Sequence, residues 1–239
     1  MPRLASPVLL VLTLLGCSGS KGTVAARAAD AATLQSTPVA KPASGPAGAP
    51  QGAADSVLAK ADAGRIIGNP TAGVWMIIIS DFQCPYCKTW HDDAWAAIKA
   101  EYVDTGKLRV AYINLPLSMH RNAWPAAQAA MCASVQGKFW PVQDALFRSQ
   151  KDWEGAADPQ PQFEAYAREA GADTAALRSC MASGATRPLI QADIDRAGNA
   201  GASSTPTFFV GGRSVVGAQP LAAFREAIEA ALAAKPTGK

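Results

Sequence analysis

Val74-Trp75-Met76-Ile77-Ile78-Ile79-Ser80-Asp81-Phe82-Gln83-Cys84-Pro85-Tyr86-Cys87-Lys88 is the stretch from which the rest of the chain is read. Its first half is an unbroken apolar run of strand length, the pattern of a strand covered on both faces. Its second half carries two thiols three positions apart, with Pro85 where a first helical turn tolerates proline. Trp90, Ala94, Trp95, Ala97 and Ile98 then recur at helical spacing to about Asp104, and Gly106 stops the helix. The dithiol therefore sits at a helix start directly after a buried strand. Unpaired N–H groups and the positive end of the helix dipole stabilise a thiolate there. Because the thiolate is the nucleophile of disulfide exchange, the placement points to redox chemistry on other thiols.

Leu108-Arg109-Val110-Ala111-Tyr112-Ile113 alternates and reads as the next strand. A strand–helix–strand unit of this length implies a parallel pair joined by a crossover helix. Upstream, Gly64 to Gly68 is expected to be a short edge strand, followed by a turn over Asn69-Pro70-Thr71-Ala72-Gly73. Downstream, helical patterns fill about Asn122 to Gly201, broken at Gly137, Asp158-Pro159-Gln160-Pro161, Gly171 and Gly184. Thr207 to Val210 and Arg213 to Val216 read as a hairpin around Gly211-Gly212. Gln219 to Ala233 is a final amphipathic helix with Leu221, Phe224, Ile228 and Leu232 on one face.

The 239 residues are 49% apolar, enough for a substantial core, with a formal charge of +3. Neither that charge nor any Lys/Arg cluster suggests nucleic acid. Arg3 followed by the apolar run Val8 to Leu15 reads as an export signal, too short to span a membrane. It ends in Leu14-Leu15-Gly16-Cys17, which resembles the lipobox of bacterial lipoproteins. That resemblance implies a lipid anchor on Cys17, and Ser18 suggests the outer membrane. The organisation expected is a signal peptide over 1–17, an Ala/Pro/Gly-rich flexible linker over 18–54 and a folded domain over 55–239. The linker holds no aromatic residue and cannot bury enough surface to offset its ordering entropy. The compartment implied is the periplasm or cell envelope, where disulfides persist.

Two motifs carry a family resemblance. Phe82-Gln83-Cys84-Pro85-Tyr86-Cys87-Lys88 resembles the active site of the DsbA-like branch of the thioredoxin superfamily. Ser203-Ser204-Thr205-Pro206-Thr207-Phe208-Phe209-Val210-Gly211-Gly212 resembles that family's cis-proline segment and hairpin. The resemblance covers roughly Ala63 to Ala233. It implies an α/β thioredoxin-like fold, a central mixed sheet flanked by helices, with a helical insert at about 120–201. It also implies thiol-disulfide oxidoreductase activity on extended or unfolded proteins, with oxidation or isomerisation favoured over reduction. Further implications are a membrane quinone-linked partner and a cis Thr205–Pro206 bond that opens the Thr205 backbone to a substrate strand.

In this reading Cys84 is the attacking thiol and Cys87 resolves the mixed disulfide. Pro85 and Tyr86 tune the Cys84 thiolate. No cofactor is called for, and no metal: zinc would want a second close pair of Cys or His. A copper-handling thiol protein of the envelope is the alternative from another class. Cys132 and Cys180 lack a reactive context and most simply pair in an exported protein. Such a pair resembles the structural disulfide of some family members; a second redox relay or two unpaired thiols are the alternatives.

One position departs from the family. Thioredoxin-like enzymes often carry a buried acid six residues before the first active-site Cys, as proton acceptor for the second. That position here is Ile78. Asp81, at the strand end, reads as a capping or turn residue, which leaves water or Lys88 as the expected proton carrier. His91 reads as a surface residue beside Asp92 and Asp93, and His120 as a structural loop residue. Trp90, Trp95, Trp124, Trp140 and Trp153 read as core or groove lining.

Overall fold

Strand β2 (Val74–Ser80) lies at the centre of a five-stranded sheet of order β1-β3-β2-β4-β5. The computed structural model describes residues 51–234; the signal, Cys17 and nearly all of the linker lie outside the described residues. β2 pairs in parallel with β3 (Leu108–Asn114), Val74 opposite Leu108 and Ser80 opposite Asn114. Antiparallel partners complete the sheet: β1 (Ile66–Ile67) on the outside of β3, and β4 (Thr207–Val210) on the other flank of β2. The outer edge is β5 (Arg213–Val216), closing the hairpin with β4. Its turn uses Gly211 and Gly212, both at positive φ, where a Cβ on Gly211 would also lie 2.4 Å from Ala231.

Between β2 and β3 the chain is helical without a break from Pro85 to Val103. α2 (Pro85–Trp90) passes into a π-helical turn over His91–Trp95, then α3 (Ala96–Ile98), then a second π-helical turn over Lys99–Val103. Each π turn adds one residue to the helical loop and rotates the apolar stripe. The stripe therefore keeps Trp90, Trp95, Ile98 and Tyr102 against the sheet. Gly106, at positive φ, ends the run as the sequence indicates.

Six helices lie between β3 and β4: α4 (Ala123–Ser134), α5 (Phe139–Arg148), α6 (Gln150–Trp153), α7 (Gln160–Glu169), α8 (Thr174–Ser183) and α9 (Arg187–Asn199). Asp173 caps α8 through its carboxylate on the N–H groups of Ala175 and Ala176, and Gly184 in the left-handed region ends it. α4 is buried along nearly its whole length, because its Ala-rich face lets neighbouring helices approach closely. Cys132 of α4 and Cys180 of α8 are joined by a disulfide. α10 (Leu221–Ala234) follows the hairpin and buries Phe224, Ala227 and Ile228.

The structure departs from the sequence reading at two places. A helix, α1 (Gln51–Gly64), begins inside the segment read as linker and crosses the expected boundary at 54/55. Its sequence carries no aromatic anchor, but Ala is the strongest helix former. Ala61 is fully buried, and Gly64 lies so close to α4 that a Cβ would meet Ser134 at 2.5 Å. The Ser134 hydroxyl donates to the Ala61 carbonyl at 2.6 Å.

The second departure concerns β2, which is covered on both faces only at its C-terminal end. Val74, Met76 and Ile78 enter the main core, whereas Trp75 and Ile77 on the opposite face are half-buried. Ala197 of α9 and Ala200 at its C-cap line a small apolar hollow with Ile77, Ile79, Ile113 and Phe209. Trp75 instead lies under the Arg109 guanidinium, 4.5 Å from ring centroid to Cζ.

Candidate active site

Cys84 is the N-cap of α2, in extended conformation (φ −69°, ψ 125°), and its carbonyl accepts the first helical bond from the Lys88 N–H at 3.2 Å. Pro85 occupies the first helical position, where the missing N–H is no loss. Both cysteines are free thiols: Cys84 retains 4% exposure, and Cys87, one turn in, has none. Tyr86 between them is 66% exposed. The Thr205–Pro206 bond is cis, both residues are buried, and the Thr205 carbonyl stands 3.4 Å from the Cys84 Sγ. The chain thus brings Cys84, Cys87, Thr205 and Pro206 together across more than a hundred residues.

The two thiols are electrostatically unlike. The neighbouring Cys87 thiol holds the Cys84 pKa down to about 6, with help from Thr205 and from the N–H groups of Cys87 and Tyr86, against the opposing effect of burial. Burial pushes the Cys87 thiol well above its ordinary value of 9.0, and the charge on Cys84 pushes the same way. The Asp81 N–H points at the Cys87 Sγ at 3.5 Å, and Ser80 also favours its thiolate. Cys84 is thus the sulfur held toward the thiolate and Cys87 the one held toward the thiol.

The turn before Cys84 is held from several sides. The Asp81 carboxylate is buried and accepts from the Gln83 N–H at 2.7 Å, the Leu117 N–H at 2.9 Å and His120 Nδ1 at 2.7 Å. The turn role expected for Asp81 is present, but its side chain faces the interior. Gln150 of α6, fully buried, donates its amide to the carbonyls of Phe82 (2.7 Å) and Cys84 (3.2 Å). Gln83 accepts from the Asn122 N–H at 2.6 Å and donates to the Glu154 carbonyl at 3.1 Å. The Asn122 amide in turn serves the carbonyls of Trp153, Glu154 and Ala156.

The remaining expected positions fall as follows. Ile78 is in the main core, so the family's buried acid has no counterpart at that position. Lys88, expected with water as an alternative proton carrier, is bonded to Asp92 at 2.8 Å and to the Phe147 carbonyl at 2.9 Å. His91 is not a plain surface residue: its ring stacks on Phe147 at 5.0 Å, and Nε2 meets Asp144 at 3.0 Å. Trp90, Trp95 and Trp153 are core residues, and Trp124 and Trp140 are half-buried. Among the described residues no group of three or more His, Cys, Asp or Glu is arranged to hold a metal ion. Gln83, Gln150, Asn122 and the Asp81–His120 pairing were not singled out from sequence. Only Asp81, a charge at the end of an apolar strand, offered a signal.

The family model described as Thioredoxin matches residues 60–230. Over 173 residues the chain is 32% identical to the Na(+)/H(+) antiporter NhaA 3 of Salinispora tropica, covering 72% of this chain and 25% of that one. It is 34% identical over 86 residues to the probable disulfide bond formation protein D of Bacillus anthracis, 36% of this chain and 40% of that one. The chain thus spans about a quarter of the length of the antiporter it matches and less than half of the disulfide-formation protein. Among solved structures, oxidised BdbD from Bacillus subtilis superposes with a TM-score of 0.65 at 21% identity, covering 71% of this chain and 92% of that one. With the family model spanning most of the chain over the same strands and helices, this protein belongs to the thioredoxin family.

Proposed function

We propose that this chain is a thiol-disulfide oxidoreductase of the DsbA type, acting on protein substrates through a mixed disulfide at Cys84 that Cys87 resolves. The observation that carries the reading is the asymmetry of the two thiols, Cys84 lowered to about 6 and Cys87 raised by burial. In the oxidising direction a substrate thiolate attacks the Cys84–Cys87 disulfide at Cys84 Sγ. The S–S bond breaks, and the electron pair leaves on Cys87, which takes a proton. A second substrate thiolate then attacks the substrate sulfur of the mixed disulfide and expels Cys84 as its stabilised thiolate. The substrate is oxidised by two electrons and the active site reduced by two. The reverse sequence, with Cys87 attacking, resolves the mixed disulfide instead.

A stable Cys84 thiolate favours the reduced form, which supports oxidation or isomerisation over reduction. Thr205, beside Cys84, offers its backbone to an extended substrate strand. Among the described residues no helix is long and apolar enough to cross a membrane. Placement in the periplasm or envelope, a lipid anchor at Cys17 and reoxidation by a quinone-linked membrane protein complete the proposal. The signal-like sequence and the family support them.

The test is disulfide exchange with insulin and with a reduced, unfolded protein. The wild-type chain is expected to exchange, Cys84→Ser to lose all activity, and Cys87→Ser to accumulate a mixed disulfide at Cys84. Exchange retained by Cys84→Ser would overturn the reading, as would stoichiometric Cu(I) binding by a wild-type chain that exchanges no disulfides.

A further inference from the structure

The site holds a buried carboxyl group that the exchange mechanism does not use. Asp81 is 1% exposed, yet three donors converge on its carboxylate: two backbone N–H groups, which fix the turn, and the His120 imidazole. His120 is the one ionisable donor of the three. Its Nδ1 must carry a proton to donate to a carboxylate. The carboxylate lies under the turn that presents the thiols: the Cys84 N–H bonds the Asp81 carbonyl at 3.2 Å, and the Asp81 N–H points at Cys87 Sγ.

Other ionisable groups face the pair. Cys84 and Cys87, at the start of the active-site helix, are tied to the Asp81 backbone. From β3 comes Tyr112, whose hydroxyl burial pushes well above its ordinary range, with the charges of Cys87, Asp81 and Cys84 adding to the effect. On the loop of His120 itself, the Arg121 guanidinium turns away to the Ala157 carbonyl at 3.2 Å. From the helical block, the Glu154 carboxylate is engaged by Lys151 at 2.8 Å.

We propose that Asp81 and His120 are a positioning pair for the dithiol, in which the imidazole shields the buried carboxylate and so sets how much negative charge the neighbouring sulfurs bear. An uncompensated carboxylate disfavours a thiolate nearby, whereas a carboxylate paired with a proton donor disfavours it less. His120 therefore acts on the sulfurs through Asp81 and not by touching substrate. Asp81 stands three residues before Cys84, where Ile78 leaves the interior apolar. The inference rests on the oxidoreductase reading for its consequence, but its geometry does not depend on which substrate is exchanged.

Opposite signs test it. In the reduced full chain, the Cys84 thiolate is titrated by its ultraviolet absorbance, and the Cys84–Cys87 equilibrium is measured against glutathione. Asp81→Asn is expected to lower the titration midpoint and to shift the equilibrium toward the dithiol by roughly three- to tenfold, equal to about half to one pKa unit. His120→Ala is expected to move both readouts the other way. His120→Asn, which keeps a donor near the Nδ1 position, should restore them, and His120→Ala should have no effect in an Asp81→Asn background. Equal shifts in the same direction from the two single variants would mark a merely structural role and overturn the proposal. So would a silent His120→Ala. Where Asp81→Asn fails to fold, the His120→Ala and His120→Asn comparison decides alone. A wild-type chain that titrates as described but exchanges no disulfide would defeat the functional reading and leave this one standing.

Discussion

The Cys84 sulfur and the Thr205 carbonyl oxygen face each other at 3.4 Å. This is a donor–acceptor contact for a protonated thiol and a repulsive one for a thiolate. The Thr205 hydroxyl is buried without a partner in the thiol state, yet it is among the groups that favour ionised Cys84. The two facts agree if the hydroxyl turns to the sulfur when the proton leaves. Thr205→Val, which keeps the shape and removes the hydroxyl, should raise the Cys84 midpoint by roughly one unit, the value of one charge-assisted hydrogen bond. The pH dependence of alkylation by iodoacetamide reads this directly, and an unmoved midpoint would exclude the hydroxyl.

Protonation of the two thiols should shape stability in opposite directions. Cys84 has a folded pKa of about 6 against an ordinary 9.0, so between those values the unfolded chain binds more protons. Its contribution is fully present above pH 9 and is lost as pH falls through 6. Cys87 is raised above 9.0, so its contribution is present below that pH and is lost as pH climbs further. The melting temperature of the reduced chain, minus that of the oxidised chain, should rise from pH 6 toward 9 and fall beyond it. A flat difference would contradict the asymmetry.

Cys132 and Cys180 are 48 residues apart, and the bond between them ties α4 to α8. In the chain-entropy account, closing a loop of that size stabilises the fold by roughly 4 kcal/mol. A Cys132→Ala/Cys180→Ala variant should lose stability of that order in denaturant titration. Its exchange rate with insulin should stay within about twofold of wild type, since neither residue meets the dithiol. A large loss of exchange in a folded variant would instead point to a redox relay.

A buried ion pair joins Arg65, just past the end of α1, to Asp193 of α9. Arg65 and Asp193 are 2% and 0% exposed, and Asp193 also accepts from the Asn114 backbone and side chain and from Arg196. Removing one partner of such a pair typically costs about 3–5 kcal/mol, because the other is left charged in the interior. Arg65→Met should destabilise by that order in chemical denaturation. The Cys84 titration, remote from the pair, should not move.

How much of this was legible depends on the physical source of each feature. The strand at Val74–Ser80, the helix at Pro85 and the hairpin at Gly211-Gly212 follow from local pattern, and the structure reproduces them to within a residue or two. The two π turns were not legible, since one added residue per turn leaves an apolar stripe that still reads as helix. α1 was missed because Ala-rich sequence is ambiguous between tether and helix until a partner surface exists, here the face of α4 around Ser134. The long-range contacts of Lys88 and His91 were not legible for a related reason. Their partners, Phe147 and Asp144, lie more than fifty residues away on α5. No window of sequence around the dithiol contains them.

The Gln150 contact has a consequence for how portable this chemistry is. The Phe82 and Cys84 carbonyls both accept from an amide on α6, in the helical block, so the peptide Cys84-Pro85-Tyr86-Cys87 is not a self-sufficient module. On a scaffold without that helix, the Phe82 carbonyl would be left to water or stranded, the Cys84 carbonyl would keep only the Lys88 N–H, and the turn would settle differently. Trimming the helical block would have the same effect from the other side. In this chain the extra helices are part of the reactive centre's frame, and the two can change only together.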